Sequence, residues 1–188
     1  MLASTEAILI ETIFGLGALI AVAGLGGLIW TKRRQHALRP AMTVILCGVG
    51  IVVIASLLNV LLFKTYAGVR VKKNQYYEIT SLTTNMHASL ASSQAPNQPV
   101  SPQDKKASKN VTYLIAHTNQ PASSKRWAQR AQTQLVSKKT PDVTLVKHAY
   151  KIILKNYFSG ITDSAKAQAK LNAHAYQHAT QRPAKPTK

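Results

Sequence analysis

The sequence predicts a membrane α-helical hairpin followed by a small α+β tail domain of antiparallel strands and a C-terminal Ala-rich helix. Three observations carry this. Two apolar runs, 8–30 and 41–63, each make roughly 34 Å of helix at about 1.5 Å per residue, and a hydrocarbon core needs about 30 Å. A short basic loop, 31–40, separates them. Beyond residue 63 the chain turns polar and holds twenty of the 24 Lys and Arg.

Neither run contains Pro, Lys or Arg, and their only ionisable side chains are Glu11 and Cys47. The flank 1–7 has one Glu and no cation, so it lacks the basic start of a cleaved signal peptide, and the run behind it is too long for one. Glu11 lies about one turn from the helix start, where a carboxylate reaches the interface. Within the hairpin 8–63, the loop carries Lys32, Arg33, Arg34 and Arg39. The positive-inside rule places that loop in the cytoplasm and both termini outside. Lys64, Arg70, Lys72 and Lys73 oppose this locally, but the first helix decides, with four cations on one flank and none on the other.

Small residues recur along one face of each run: Gly17, Ala21 and Gly24 in the first, Gly48, Ala55 and Asn59 in the second. Small side chains let helix backbones approach, and an Asn amide gains from a partner across the seam. The glycines are not phosphate loops, because no strand precedes them.

The tail begins with a juxtamembrane strand region, 64–82, in which 69–82 reads as a strand or short hairpin. Residues 83–110, rich in Ser, Gln and Pro, read as a disordered loop. A small α+β domain, 111–180, follows. Val111-Thr-Tyr-Leu-Ile-Ala-His117 reads as a strand, and Ser123 or Ser124 as the cap of a helix carrying Trp127, Ala131 and Leu135. Residues 143–158 fit two periods. A helix would line up Lys147, Lys151 and Lys155; the β-branched and aromatic content favours a strand, with Val146, His148, Tyr150, Ile152, Leu154 and Phe158 on one side. We take the strand. A helix over 164–180, capped by Thr162 or Asp163, has only Leu171 and Tyr176 as large apolar residues and so reads as a surface element. Residues 181–188 read as a disordered end.

In this order, the two spans, Tyr66-Ala-Gly68, the segment 111–117, the run Tyr150-Lys-Ile-Ile-Leu-Lys-Asn-Tyr-Phe158 and the Ala-Lys-Gln segment 165–177 resemble an uncharacterised family of two-span membrane proteins of lactic acid bacteria. The resemblance implies an envelope location and transfers no activity or catalytic residue.

Residues 64–188 hold four acids, Glu78, Asp104, Asp142 and Asp163, against twenty cations, a formal +16. Such a surface attracts lipid head groups, anionic wall polymer or nucleic acid. An outside tail disfavours nucleic acid, and no nucleic-acid-binding motif is legible. Cys47 is the sole cysteine, which excludes an internal disulfide and suits a bacterial envelope protein. His174 and His178 stand at i, i+4, but Ala175 occupies the position where the metalloprotease motif has Glu, so we assign no metal ligands and no cofactor. Four scattered acids and the absence of a Gly-x-Ser-x-Gly elbow point away from hydrolysis. The expectation is a non-enzymatic, membrane-anchored envelope protein whose basic tail binds an anionic surface or a partner. The alternatives are an accessory subunit of a multi-span membrane protein and, last, a metal-dependent hydrolase using His174 and His178.

Overall fold

Seven helices and one β-hairpin make up the computed structural model over its described residues, 3–34, 38–91, 100–138 and 140–181. The chain divides into two compact units: Met1–Lys64 with Arg70–Lys73, and Thr65–Val69 with Asn74–Lys188.

The first unit is built on α1 (Ala3–Arg33) and α2 (Arg39–Leu62), which pack along each other. Glu6 in the first turn of α1 and Lys32 and Arg33 in its last complement the helix dipole. Pro40 opens α2, where a missing N–H breaks no helical bond. Phe63 ends it by turning extended. Large apolar side chains point outward, among them Leu19 at 67%, Leu46 at 71% and Val60 at 73% exposed. Small ones face inward: Ala41, Gly48 and Ala55 are the buried residues of α2.

Two short strands, β1 (Phe63–Tyr66) and β2 (Val69–Lys72), pair as an antiparallel hairpin. Ala67 (φ 50°) and Gly68 (φ 71°) both take the left-handed conformation at its turn. Two such residues match the twist of a two-residue hairpin loop.

The second unit is helical: α3 (Lys73–Leu90), α4 (Pro102–His117), α5 (Ala122–Ser137), α6 (Val143–Ser159) and α7 (Ala165–Thr180). From α4 onward each helix packs on the next. The core is α6, which buries Val146, Ala149, Tyr150, Ile153, Leu154, Tyr157 and Phe158, a 3.6-residue stripe. Side chains cap α4, α6 and α7: Ser101 accepts from the Asp104 N–H, Asp142 from Leu145 and Ser164 from Ala167.

These elements correct the α+β expectation for the tail. The hairpin ends at Lys72, and Tyr76–Thr80 lie inside α3 rather than in a strand. Most of the expected disordered loop 83–110 is the end of α3 and the start of α4; its residues 92–99 lie outside the described ones. Residues 111–117 are the last two turns of α4, and 143–158 are α6, so both strands are overturned. In each case a capped start and an amphipathic period outweigh β-branched content, since α-helical packing buries Val and Ile equally well. The cap position of α5 is Pro121, while Ser124 is buried and accepts from the Asn156 amide at 3.0 Å. The helix expected over 164–180 is α7, but it is no loose surface element: Leu171, Ala175 and Ala179 are buried on one face. Residues 182–188 of the expected disordered end lie outside the described ones.

Candidate functional site

Three places concentrate the chemistry. The first is the seam of the helical pair. A β-carbon on Gly48 would lie 2.5 Å from the Ala21 nitrogen and 2.8 Å from the Gly17 oxygen, so these three backbones are in direct contact. Gly24 faces Ile45 instead, whose side chain would come within 2.7 Å of an added β-carbon. Ala55 is buried in a cluster with Ala7, Ile10 and Phe63. Asn59 lies away from the glycine contact and lines a small cavity of about 290 Å³ with Ile10, Glu11, Ser56 and Arg70. There Arg70 donates to the Glu11 carboxylate, and Lys72 donates to Glu6 at 2.7 Å. Sequence reading placed Glu11 at the interface but missed both pairs, whose partners lie 59 and 66 residues apart. Lys32, Arg33, Arg34 and Arg39 are all exposed around the α1–α2 connection, and the Arg34 guanidinium sits 4.7 Å above the Trp30 ring.

The second place is on α5 and α6. Arg126, Gln129, Arg130, Thr133, Gln134 and Leu145 line an open cleft of about 460 Å³ with no carboxylate in its wall. Arg130 stacks over Trp127 at 5.0 Å, and Trp127 meets His148 edge-on at 5.4 Å. Because 143–158 is helical, Lys147, Lys151 and Lys155 stand at i, i+4 and i+8 along α6. Asp142 is engaged elsewhere, accepting from the Leu145 N–H at 3.0 Å.

The third place is a polar cleft of about 390 Å³. Asn74 and Glu78 come from α3, His117 to Gln120 from the end of α4 and its connection, and Tyr157 from α6. The Tyr157 hydroxyl donates to Glu78 Oε2 at 2.6 Å. Burial, reinforced by the hydrogen bond and negative charge of Glu78, pushes this hydroxyl well above the ordinary tyrosine pKa. It therefore remains a donor. His117 packs on the exposed Tyr113 ring with centroids 4.0 Å apart. The side-chain oxygen of Gln120 is buried with no hydrogen-bond partner among the described residues. No local signal announces this cleft, because Glu78 and Tyr157, which meet in it, lie 79 residues apart.

His174 packs edge-on against Tyr66 at 5.2 Å, while the His178 ring stands 6.1 Å from His87. Each imidazole thus has a different neighbour. Among the described residues no three His, Cys, Asp or Glu side chains converge as metal ligands.

No protein-family model, curated protein or solved structure matches the chain.

Proposed function

We propose that the chain is a membrane-anchored cell-envelope protein: α1 and α2 cross the bilayer, and the basic helical tail lies outside and docks on a phosphate-bearing anionic surface. Two helices long and apolar enough to cross a membrane support the anchor, as do their outward-facing Leu, Ile and Val side chains. Four exposed cations at the α1–α2 connection and none before α1 support the orientation. The carrying observation is the Arg126–Arg130 cleft. Arginine forks match phosphate oxygens bidentately, and no carboxylate in the wall repels them.

The test uses the full chain in nanodiscs of uncharged lipid. Vesicles containing phosphatidylglycerol should bind it with an affinity that falls steeply between about 50 mM and about 500 mM salt, as the screening length shortens. Arg126→Ser with Arg130→Ser should weaken that binding severalfold. Equal binding at both salt concentrations would remove the electrostatic basis. Teichoic acid in place of vesicles distinguishes wall polymer from lipid. Protease added to wall-stripped cells should cut between α3 and α4; a tail cut only after permeabilisation would invert the topology and bring cytoplasmic-leaflet lipid or nucleic acid forward.

A second reading, an accessory subunit of a multi-span membrane protein, draws on Gly15 and Gly26. They stand three turns apart on α1 with open space beside each. Gly17 and Gly48 are already engaged with each other inside the pair. Gly15→Leu with Gly26→Leu should then abolish co-purification of a multi-span partner.

A further inference from the structure

The polar cleft between α3, the α4–α5 connection and α6 shares no residue with the Arg126–Arg130 cleft, and its chemistry is different. Each wall contributes groups that both donate and accept. Asn74, Asn119 and Gln120 present amides, which carry two donors and an acceptor each. Glu78 presents a carboxylate whose second oxygen makes no hydrogen bond among the described residues, since Tyr157 takes only Oε2. The buried Gln120 oxygen has no partner among the described residues either. A buried acceptor without a donor costs free energy unless a ligand or water supplies one. The cleft therefore calls for a donor-rich ligand.

Charge narrows the class. An anion would meet the Glu78 carboxylate at close range. A cation would have to enter a unit of formal charge +12, sixteen Lys and Arg against four acids, whose long-range field repels it. An apolar ligand would bury the amides and the carboxylate without partners. A neutral molecule dense in hydroxyls meets none of these penalties, because each hydroxyl both donates and accepts. His117, one of the lining residues, adds a flat aromatic ring, against which the C–H face of a sugar ring packs. We propose that this cleft is a binding site for a neutral saccharide, its hydroxyls donating to Glu78 and Gln120 and bonding the Asn119 amide while the C–H face of one ring packs on His117. The volume of about 390 Å³ falls at the small end of the usual range for ligand pockets, so one or two sugar rings fill it. Glu78 is the one carboxylate in the wall, and the assignment is to binding, not hydrolysis.

The experiment uses the full chain in uncharged nanodiscs with three probes: maltotriose, N,N′,N″-triacetylchitotriose and glucose 6-phosphate. Saturation-transfer NMR and calorimetry should show at least one neutral trisaccharide bound with a Kd below about 10 mM. Its affinity should be unchanged between about 50 mM and about 500 mM salt. Glu78→Gln removes the charge-assisted acceptor and should weaken binding about tenfold. Asn119→Ala, outside any helix, should weaken it severalfold and carries the test if the Glu78 variant loses helical circular dichroism. Arg126→Ser with Arg130→Ser should leave saccharide binding unchanged, which separates this site from the proposed anion cleft. Failure of both trisaccharides to bind would overturn the proposal. So would binding of glucose 6-phosphate alone, or saccharide binding that survives Glu78→Gln and Asn119→Ala together.

Discussion

The two units of this protein are inside-out relative to each other. In the helical pair most large apolar side chains face outward, while Gly17, Gly24, Gly48, Ala41 and Ala55 face inward; in the tail Tyr150, Ile153, Leu154 and Phe158 are fully buried and charge covers the surface. Every large apolar residue exposed beyond Phe63 among the described residues is a tyrosine, Tyr77 or Tyr113. In water, burial of apolar area holds a helix bundle together. In the bilayer proposed for α1 and α2 that term vanishes, and close backbone packing takes over. The difference teaches that side-chain size has opposite meaning in the two units.

Truncating a large apolar side chain should therefore break one unit and spare the other. Phe158→Ala should destabilise the tail by about 3–5 kcal/mol, because a cavity remains where the ring was. Leu46→Ala, at a position 71% exposed on α2, should cost less than about 1 kcal/mol in nanodiscs. Denaturant unfolding followed by circular dichroism measures the first, and heat-induced loss of α1–α2 proximity the second. A large loss from Leu46→Ala would mean that the outer face of α2 is covered by protein.

Adding bulk should do the reverse. Gly48→Leu forces its β-carbon into the Ala21 and Gly17 backbones, which cannot rotate aside, and should cost at least about 1–3 kcal/mol of helix pairing. Gly50→Leu, on the same helix with open space beside it, should be near neutral. Spin-label distances across the pair in nanodiscs report both. Equal effects would show that the pair is not held by backbone contact at Gly48.

What the sequence disclosed follows the same division. The two helices of the hairpin needed no tertiary information, because each apolar run of 23 residues free of Pro, Lys and Arg is too long for a strand and long enough for an unbroken helix. The tail depends on contacts distant in sequence, and there local β-propensity misled. Residues 143–158 contain Val, Ile, Tyr and Phe, yet Val146, Ala149, Tyr150, Ile153, Leu154 and Tyr157 already step at helical spacing. The start of α4 was also legible: Ser101-Pro-Gln-Asp104 has a capping residue, Pro in the first turn and an acid three residues on. Reading that stretch by its Pro, Ser and Gln content hid it. Neither the Glu78–Tyr157 contact nor the Glu11–Arg70 pair leaves any local trace.

Alkaline pH should separate the units next. The seven tyrosines all lie beyond residue 63, so α1 and α2 contain none. Burial raises the Tyr150 hydroxyl pKa, with its Ser89 hydrogen bond acting the other way, and Tyr157 is raised by burial and by Glu78. Unfolded tyrosine ionises near 10. Stability from these groups is fully present below that pH and is lost as pH rises from about 10 toward the folded values, since the unfolded state then holds fewer protons. The slope should be roughly 1 kcal/mol per pH unit for each tyrosine that is neutral when folded and ionised when unfolded. Urea unfolding of the tail between about pH 9 and about pH 11 should fall more steeply than in a Tyr150→Phe, Tyr157→Phe variant. Parallel slopes would remove this assignment.

The smallest expected effect probes the boundary of the helical pair itself. Glu11 is 64% exposed and its partner Arg70 is 35% exposed at the side chain, so the pair is open to its surroundings. If those surroundings are water and head groups, the coupling between the two charges is below about 1 kcal/mol, because screening and side-chain entropy offset most of the attraction. A double-mutant cycle with Glu11→Gln and Arg70→Gln, read from α1–α2 pairing in nanodiscs, measures it directly. Raising the salt from about 50 mM to about 500 mM should erase most of what remains. A coupling above about 2 kcal/mol that ignores salt would instead place the pair in a low-dielectric medium, where each lone charge is costly to leave unpaired. Glu11 would then lie in the hydrocarbon layer, and the bilayer boundary would fall nearer the start of α1 than the sequence reading puts it.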